Sequence, residues 1–130
     1  MTSFGPLIYA YTVREAVEDG TFLDAQLPDL GLAEVSWQHY KTPLYLTQGV
    51  ADLIRHAVEH CGRDWRGVWH DILTVSRTLY TQPTPNRREF TVLVADTPTT
   101  HAAVTIHAAC QPYDTTDPKP VVVFFLPHED

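Results

Sequence analysis

Basic residues are scarce in this sequence: 9 Lys and Arg stand against 16 Asp and Glu, a formal charge of −7. Phosphate contacts need a basic face, and Arg87-Arg88 is the one adjacent basic pair, so nucleic acid is not the expected partner. Cysteine is almost missing too. Cys61 and Cys110 are too few for a disulfide framework, and each is expected as a small buried apolar residue. Long hydrophobic runs are also lacking. The longest, Val121 to Leu126, falls far short of the ~20 residues of a membrane helix. Leu7 to Tyr11 is apolar but has no basic lead-in, so it does not read as a secretory signal. The expectation is a cytoplasmic protein with no membrane attachment. Neither G-x-x-x-x-G-K-[ST] nor G-x-G-x-x-G occurs, which leaves nucleotide binding without support.

What is present reads as one globular domain over residues 1–130, with 44% hydrophobic and 19% charged residues. A chain of 130 residues buries enough surface to fold without a metal or disulfide staple. The first forty residues are the least regular. Thr12 can cap a short helix over Val13–Glu18 that stops at Asp19-Gly20; Thr21 to Ala25 looks extended, and Asp29 to Val35 reads as a second short helix entered at Pro28. Pro43 to Leu46 is expected to be extended.

Two longer helices follow. Thr47 is a natural N-cap and Gly62 a natural terminator, and Val50, Leu53, Ile54, Ala57, Val58 and Cys61 recur at the spacing of one buried stripe. Asp64 caps the next helix, where Trp65, Trp69, Ile72, Leu73, Ser76, Leu79 and Tyr80 share a face. The short join predicts a helical hairpin or a sharp corner. Beyond the proline-rich break at residues 82–86 the period changes to two: Phe90, Val92 and Val94 alternate with Thr91, Leu93 and Ala95, and Ala102 to Cys110 alternates likewise. The wholly apolar strand at Val121–Leu126 is expected to be covered on both faces or to be central. The fold these elements predict is α+β, a helical hairpin packed on a three-stranded antiparallel sheet formed by the C-terminal part, with a less regular N-terminal region.

Two stretches invite a functional reading. Residues 56–60 spell H-x-x-E-H, the inverted zinc-peptidase spacing. His56 and His60 at i and i+4 can meet one metal ion, and Glu59 sits where a general base would take a proton from metal-bound water. A zinc-dependent hydrolase is therefore the alternative reading, with zinc as its cofactor. The helix phase argues the other way: Glu59 falls almost opposite the apolar stripe and both histidines lie on its flank, so these groups are expected to face solvent. His101 and His107 lie on one strand face but about 20 Å apart, too far to share an ion. The second stretch is aromatic. Trp37, His39, Tyr40 and Lys41, with Tyr45 just beyond, form a cluster suited to a protein interface if exposed, or to a loop pinned onto the core by its rings.

Several short pieces, taken in order, resemble a family of small proteins of unknown function carried by bacterial plasmids and phages. They are Phe4 to Thr12, Ala16 to Gly20 with Leu23-Asp24, Pro43 to Thr47, Val68 to Leu73, and the closing Val121 to Asp130 with its Leu126-Pro127-His128-Glu129-Asp130. The H-x-x-E-H residues are not among them. The resemblance implies no catalytic residue. It implies an accessory protein of a mobile element, and with the acidity it gives the leading expectation: a non-enzymatic, cofactor-free protein that acts by contact with a protein partner such as a host factor, which it would inhibit, or with a second copy of itself.

Overall fold

The structure, a computed structural model, describes residues 12–26 and 31–129. Its centre is a six-stranded mixed sheet. Helix α1 (Val13–Glu18) leads to β1 (Phe22–Asp24), α2 (Leu32–His39) and β2 (Leu44–Thr47). Helices α3 (Gln48–Cys61) and α4 (Trp65–Thr78) come next, then β3 (Thr81–Thr84), β4 (Arg87–Thr97), β5 (Thr100–Pro112) and β6 (Pro120–Phe125), and a single 3-10 turn at Pro127–Glu129. The spatial order is β1-β2-β6-β5-β4-β3. All neighbours are antiparallel except β2 and β6, which pair in parallel with Leu44 beside Val122 and Leu46 beside Phe124.

This corrects the three-stranded antiparallel expectation. Four helices and six strands are present among the described residues. Strands β1 and β2 are only three and four residues long, too short to show a period, and they join the sheet through a pairing between residues about 78 positions apart in the chain. Strand β3 contains Pro83 inside the stretch read as a breaker, and it tolerates proline because it is an edge strand. Asp29 and Pro28, expected to open the second short helix, lie outside the described residues; α2 runs instead from Leu32 through Trp37 to His39.

The capping residues act as their chemistry dictates. Thr12 and Glu15 form a reciprocal capping box on α1, and Asp64 accepts from the Gly67 amide at 2.7 Å. The Thr47 hydroxyl accepts from the Val50 amide at the start of α3, and Gly62 (φ 71°) ends that helix in the left-handed region. Helices α2, α3 and α4 cover one sheet face and bury Leu44, Leu46, Ile54, Trp69, Ile72, Leu73, Phe90, Ile106 and Phe124. Phe124 is the hub of that core, with Trp69, Tyr40 and Phe90 standing edge-on to it at ring distances of 5.1, 6.1 and 6.3 Å. Its strand lies between β2 and β5, as its unbroken apolar run requires. On the opposite face α1 covers only the β1–β2–β6 half, where Val13, Ala16, Phe22, Tyr45, Val121 and Val123 pack together.

The chain closes on its own helix. The Glu129 carboxylate accepts from the Thr47 hydroxyl at 2.6 Å, the Gly49 amide at 3.1 Å and the Leu126 amide at 2.8 Å. A carboxylate there meets the positive end of α3 and satisfies the Gly49 amide of its first turn. Gly49 leaves room for it: a Cβ at that position would stand 2.6 Å from Glu129 Oε2.

Candidate functional site

The residues proposed for an interface separate onto different sides of the molecule. Trp37 is 49% exposed on α2 and Lys41 is exposed just after it. Tyr40 is half-buried, edge-on to Phe124, and its hydroxyl meets Ser76 Oγ at 2.8 Å. Tyr45 is 5% exposed on the other sheet face, stacked on Tyr113 at 6.0 Å. Burial foremost, then the charges of Asp24 and Asp117 and the neighbouring Tyr113 phenol, hold its hydroxyl far above the usual tyrosine range. The aromatic cluster of the sequence thus contributes one exposed ring, Trp37.

His39 stands at the end of α2 between two groups of α4. Arg77 donates to its Nδ1 at 3.2 Å, so the proton must sit on Nε2, which donates to His70 Nδ1 at 2.9 Å. Burial, then the nearby His70 and Arg77, lower the His39 pKa below the ordinary value, which favours a neutral His39 ring in the contact that pins α2 to α4. A metal at His39 Nε2 would need the proton on Nδ1, facing the guanidinium donor, and the Arg77 contact opposes that.

His56, Glu59 and His60 all project from the exposed side of α3. The two rings are neighbours, 5.0 Å between centroids. The Nε2 of His56 is taken up by the Asp96 carbonyl at 2.9 Å, which requires it to carry the proton. No group of three or more His, Cys, Asp or Glu is gathered closely enough to hold a metal ion among the described residues. His101 and His107 share the sheet face not covered by the long helices, one paired with Ala95 and the other with Glu89 and Phe125. The two cysteines diverge. Cys61 is 4% exposed under α3, whereas Cys110 is exposed beside Asn86 in a cleft of about 180 Å³, contrary to its expected burial.

The most open feature of the surface is one that the sequence reading missed. Strand β3 pairs with β4 only at Thr81–Glu89 and Thr84–Arg87, while β4 continues to Thr97. From Phe90 onward β4 has β5 on one side and, among the described residues, no strand on the other. At Asp96 the carbonyl is already engaged by His56, so the free stretch is Phe90–Ala95. Six extended residues reach about 20 Å, the length of an ordinary strand. Two shallow grooves meet along it at Thr91. One, of about 360 Å³, is lined by Leu79, Tyr80, Glu89, Phe90 and Thr91, and the other, of about 320 Å³, by Asp71, Thr74, Val75, Thr91, Val92 and Leu93. Leu79 and Leu93 are 74% and 65% exposed, more than any other large apolar side chain described. One signal was available, since Leu93 interrupts the small and polar members of its strand face; Leu79, expected on the shared apolar face of α4, instead lies past the last residue of that helix and is exposed.

Comparison with protein-family models, with curated proteins and with solved structures finds no match to this chain. No helix among the described residues is long and apolar enough to cross a membrane.

Proposed function

We propose that this α+β protein acts by protein–protein contact and not by catalysis, docking a partner polypeptide along the free half of β4. The observation that carries the reading is the coincidence on one strand of an unpaired backbone edge, two flanking grooves and two exposed leucines. Natural sheets blunt such edges with lysine, proline or charge, and Phe90–Ala95 contains none of these. An extended segment gains main-chain hydrogen bonds from the edge and side-chain pockets from the grooves. An accessory protein of a mobile element that binds a host factor, as the sequence resemblance implies, would use such a surface.

The surface around Trp37 and Lys41 is the competing contact, favoured by the exposed indole. Affinity capture from bacterial lysate separates them. A partner retained by the native chain and by Trp37→Ala but lost with Leu93→Lys supports the β4 edge; the reverse pattern moves the interface to α2. The rival zinc-hydrolase reading rests on the adjacency of His56 and His60. It requires stoichiometric zinc in protein purified without an affinity tag and loss of that zinc in His56→Ala.

A further inference from the structure

The rim of the β4 edge carries charge of one sign. Asp71 and Glu89 line the two grooves, and Asp96 stands at the far end of the free stretch. No lysine or arginine lines either groove. The Arg88 guanidinium is already engaged: it lies over the ring of Tyr80, a groove residue, at 4.1 Å and donates to the Ser76 carbonyl at 3.0 Å. The His56 imidazole is held by the Asp96 carbonyl, and His101 stands cross-strand from Ala95, near the Asp96 carboxylate. Between the acidic ends, Phe90 to Ala95 is uncharged, with Leu93 turned outward.

This pattern selects among occupants. A second copy paired antiparallel on the same edge would bring its own Asp71, Glu89 and Asp96 against these, in a chain of net charge −7, and like charges across an interface are costly. An extended segment that is apolar at alternate positions and basic at its ends meets both features at once. Its apolar side chains fall beside Leu93 and Leu79, and its end charges reach Glu89 and Asp96.

Building on the docking role of the edge, we propose that Phe90–Ala95 is a strand-addition site for an extended segment of a partner protein flanked by Lys or Arg. The chemistry needed is an unpaired backbone, alternating apolar side chains and terminal positive charge, and it excludes acidic segments.

Three synthetic probes test this against the full isotope-labelled chain: a seven-residue alternating Val/Thr strand with two lysines at each end, the same strand with glutamates, and the lysine form with N-methylated amides along one edge. The lysine peptide is expected to bind at least about tenfold tighter than the glutamate peptide in low salt, and the gap should close as salt rises. Amide exchange should slow at Phe90–Ala95, and N-methylation should abolish the effect. Asp71→Asn with Glu89→Gln should erase the preference. Leu93→Lys should weaken lysine-peptide binding at least about tenfold without lowering the melting temperature, since that side chain is mostly in solvent. Equal binding of the lysine and glutamate peptides overturns the basic-segment inference while leaving the edge as a docking site. A free chain that sediments as a dimer with Phe90–Ala95 already protected does the same, in favour of a second copy. No peptide-induced protection of the edge in a monomeric chain overturns both.

Discussion

Replacing Gly49 by alanine tests the closure of the chain on α3 with a change of sign. At an ordinary helical position, Gly→Ala stabilises by up to about 1 kcal/mol, because alanine gives up less backbone entropy. Here the added Cβ would lie 2.6 Å from one Glu129 oxygen and 2.9 Å from the other, so the carboxylate must leave. With it go the bonds from Thr47, Gly49 and Leu126. Hydrogen bonds to a charged acceptor contribute about 1.5–3 kcal/mol each when buried. These are half-buried, share one acceptor and can be replaced in part by water, so the loss of all three together should be about 2 kcal/mol. Gly49→Ala should therefore destabilise the native chain by about 1 kcal/mol, the loss less the helical gain. Glu129→Ala alone should cost about 2 kcal/mol, a fall in melting temperature of roughly 6–10 °C for a chain of this size. In the Glu129→Ala background the same glycine substitution should stabilise. Urea unfolding of the four members of this double-mutant cycle gives the coupling energy directly. Gly49→Ala that stabilises the native chain, or a coupling near zero, would refute the closure.

The remaining predictions concern titration and access. His39 has a pKa lowered in the folded chain, so the unfolded state binds the extra proton first; stability should be full above the ordinary histidine value of about 6.5 and fall as pH drops through it, and His39→Gln should flatten that limb of the melting-temperature profile. The Asp114 carboxyl is held down to about 2, chiefly by the Thr116 hydroxyl with Arg14 assisting; stability should decline as pH falls from the ordinary aspartate value toward that figure, and less so in Asp114→Asn. One thiol, Cys110, should react with an aromatic disulfide reagent in the folded protein and a second, Cys61, only on unfolding; two fast thiols would contradict the burial of Cys61.

The parts of this fold that were legible in the sequence are those whose signals are local. Thr47, Gly62 and Asp64 mark helix ends within one turn of where they act, and the alternation of Phe90, Val92 and Val94 declares which face is covered. What stayed hidden depends on partners remote in the chain. Leu44–Thr47 becomes a strand because β6 lies beside it, and no feature of those four residues names that partner. The site suffers from the same blindness. Tyr40 and Tyr45 look alike in sequence, yet the turn between α2 and β2 sends them to opposite faces of the sheet. The open edge of β4 is a statement about where β3 stops, and periodicity cannot supply it.

The position of β6 bears on how a ribosome-borne chain reaches its native state. Strands β1 and β2 form one half of the sheet and β3, β4 and β5 the other, and β6 is the splice between them. It also follows the other five strands in chain order among the described residues. Until residues 120–125 emerge, the two halves have no shared hydrogen bonds and Phe90, Trp69 and Leu46 lack the ring of Phe124 that gathers them. A product cut short before residue 120 has no strand to splice the two halves of the sheet and no Phe124 in the core between them, which makes it a ready target for chaperones and proteases.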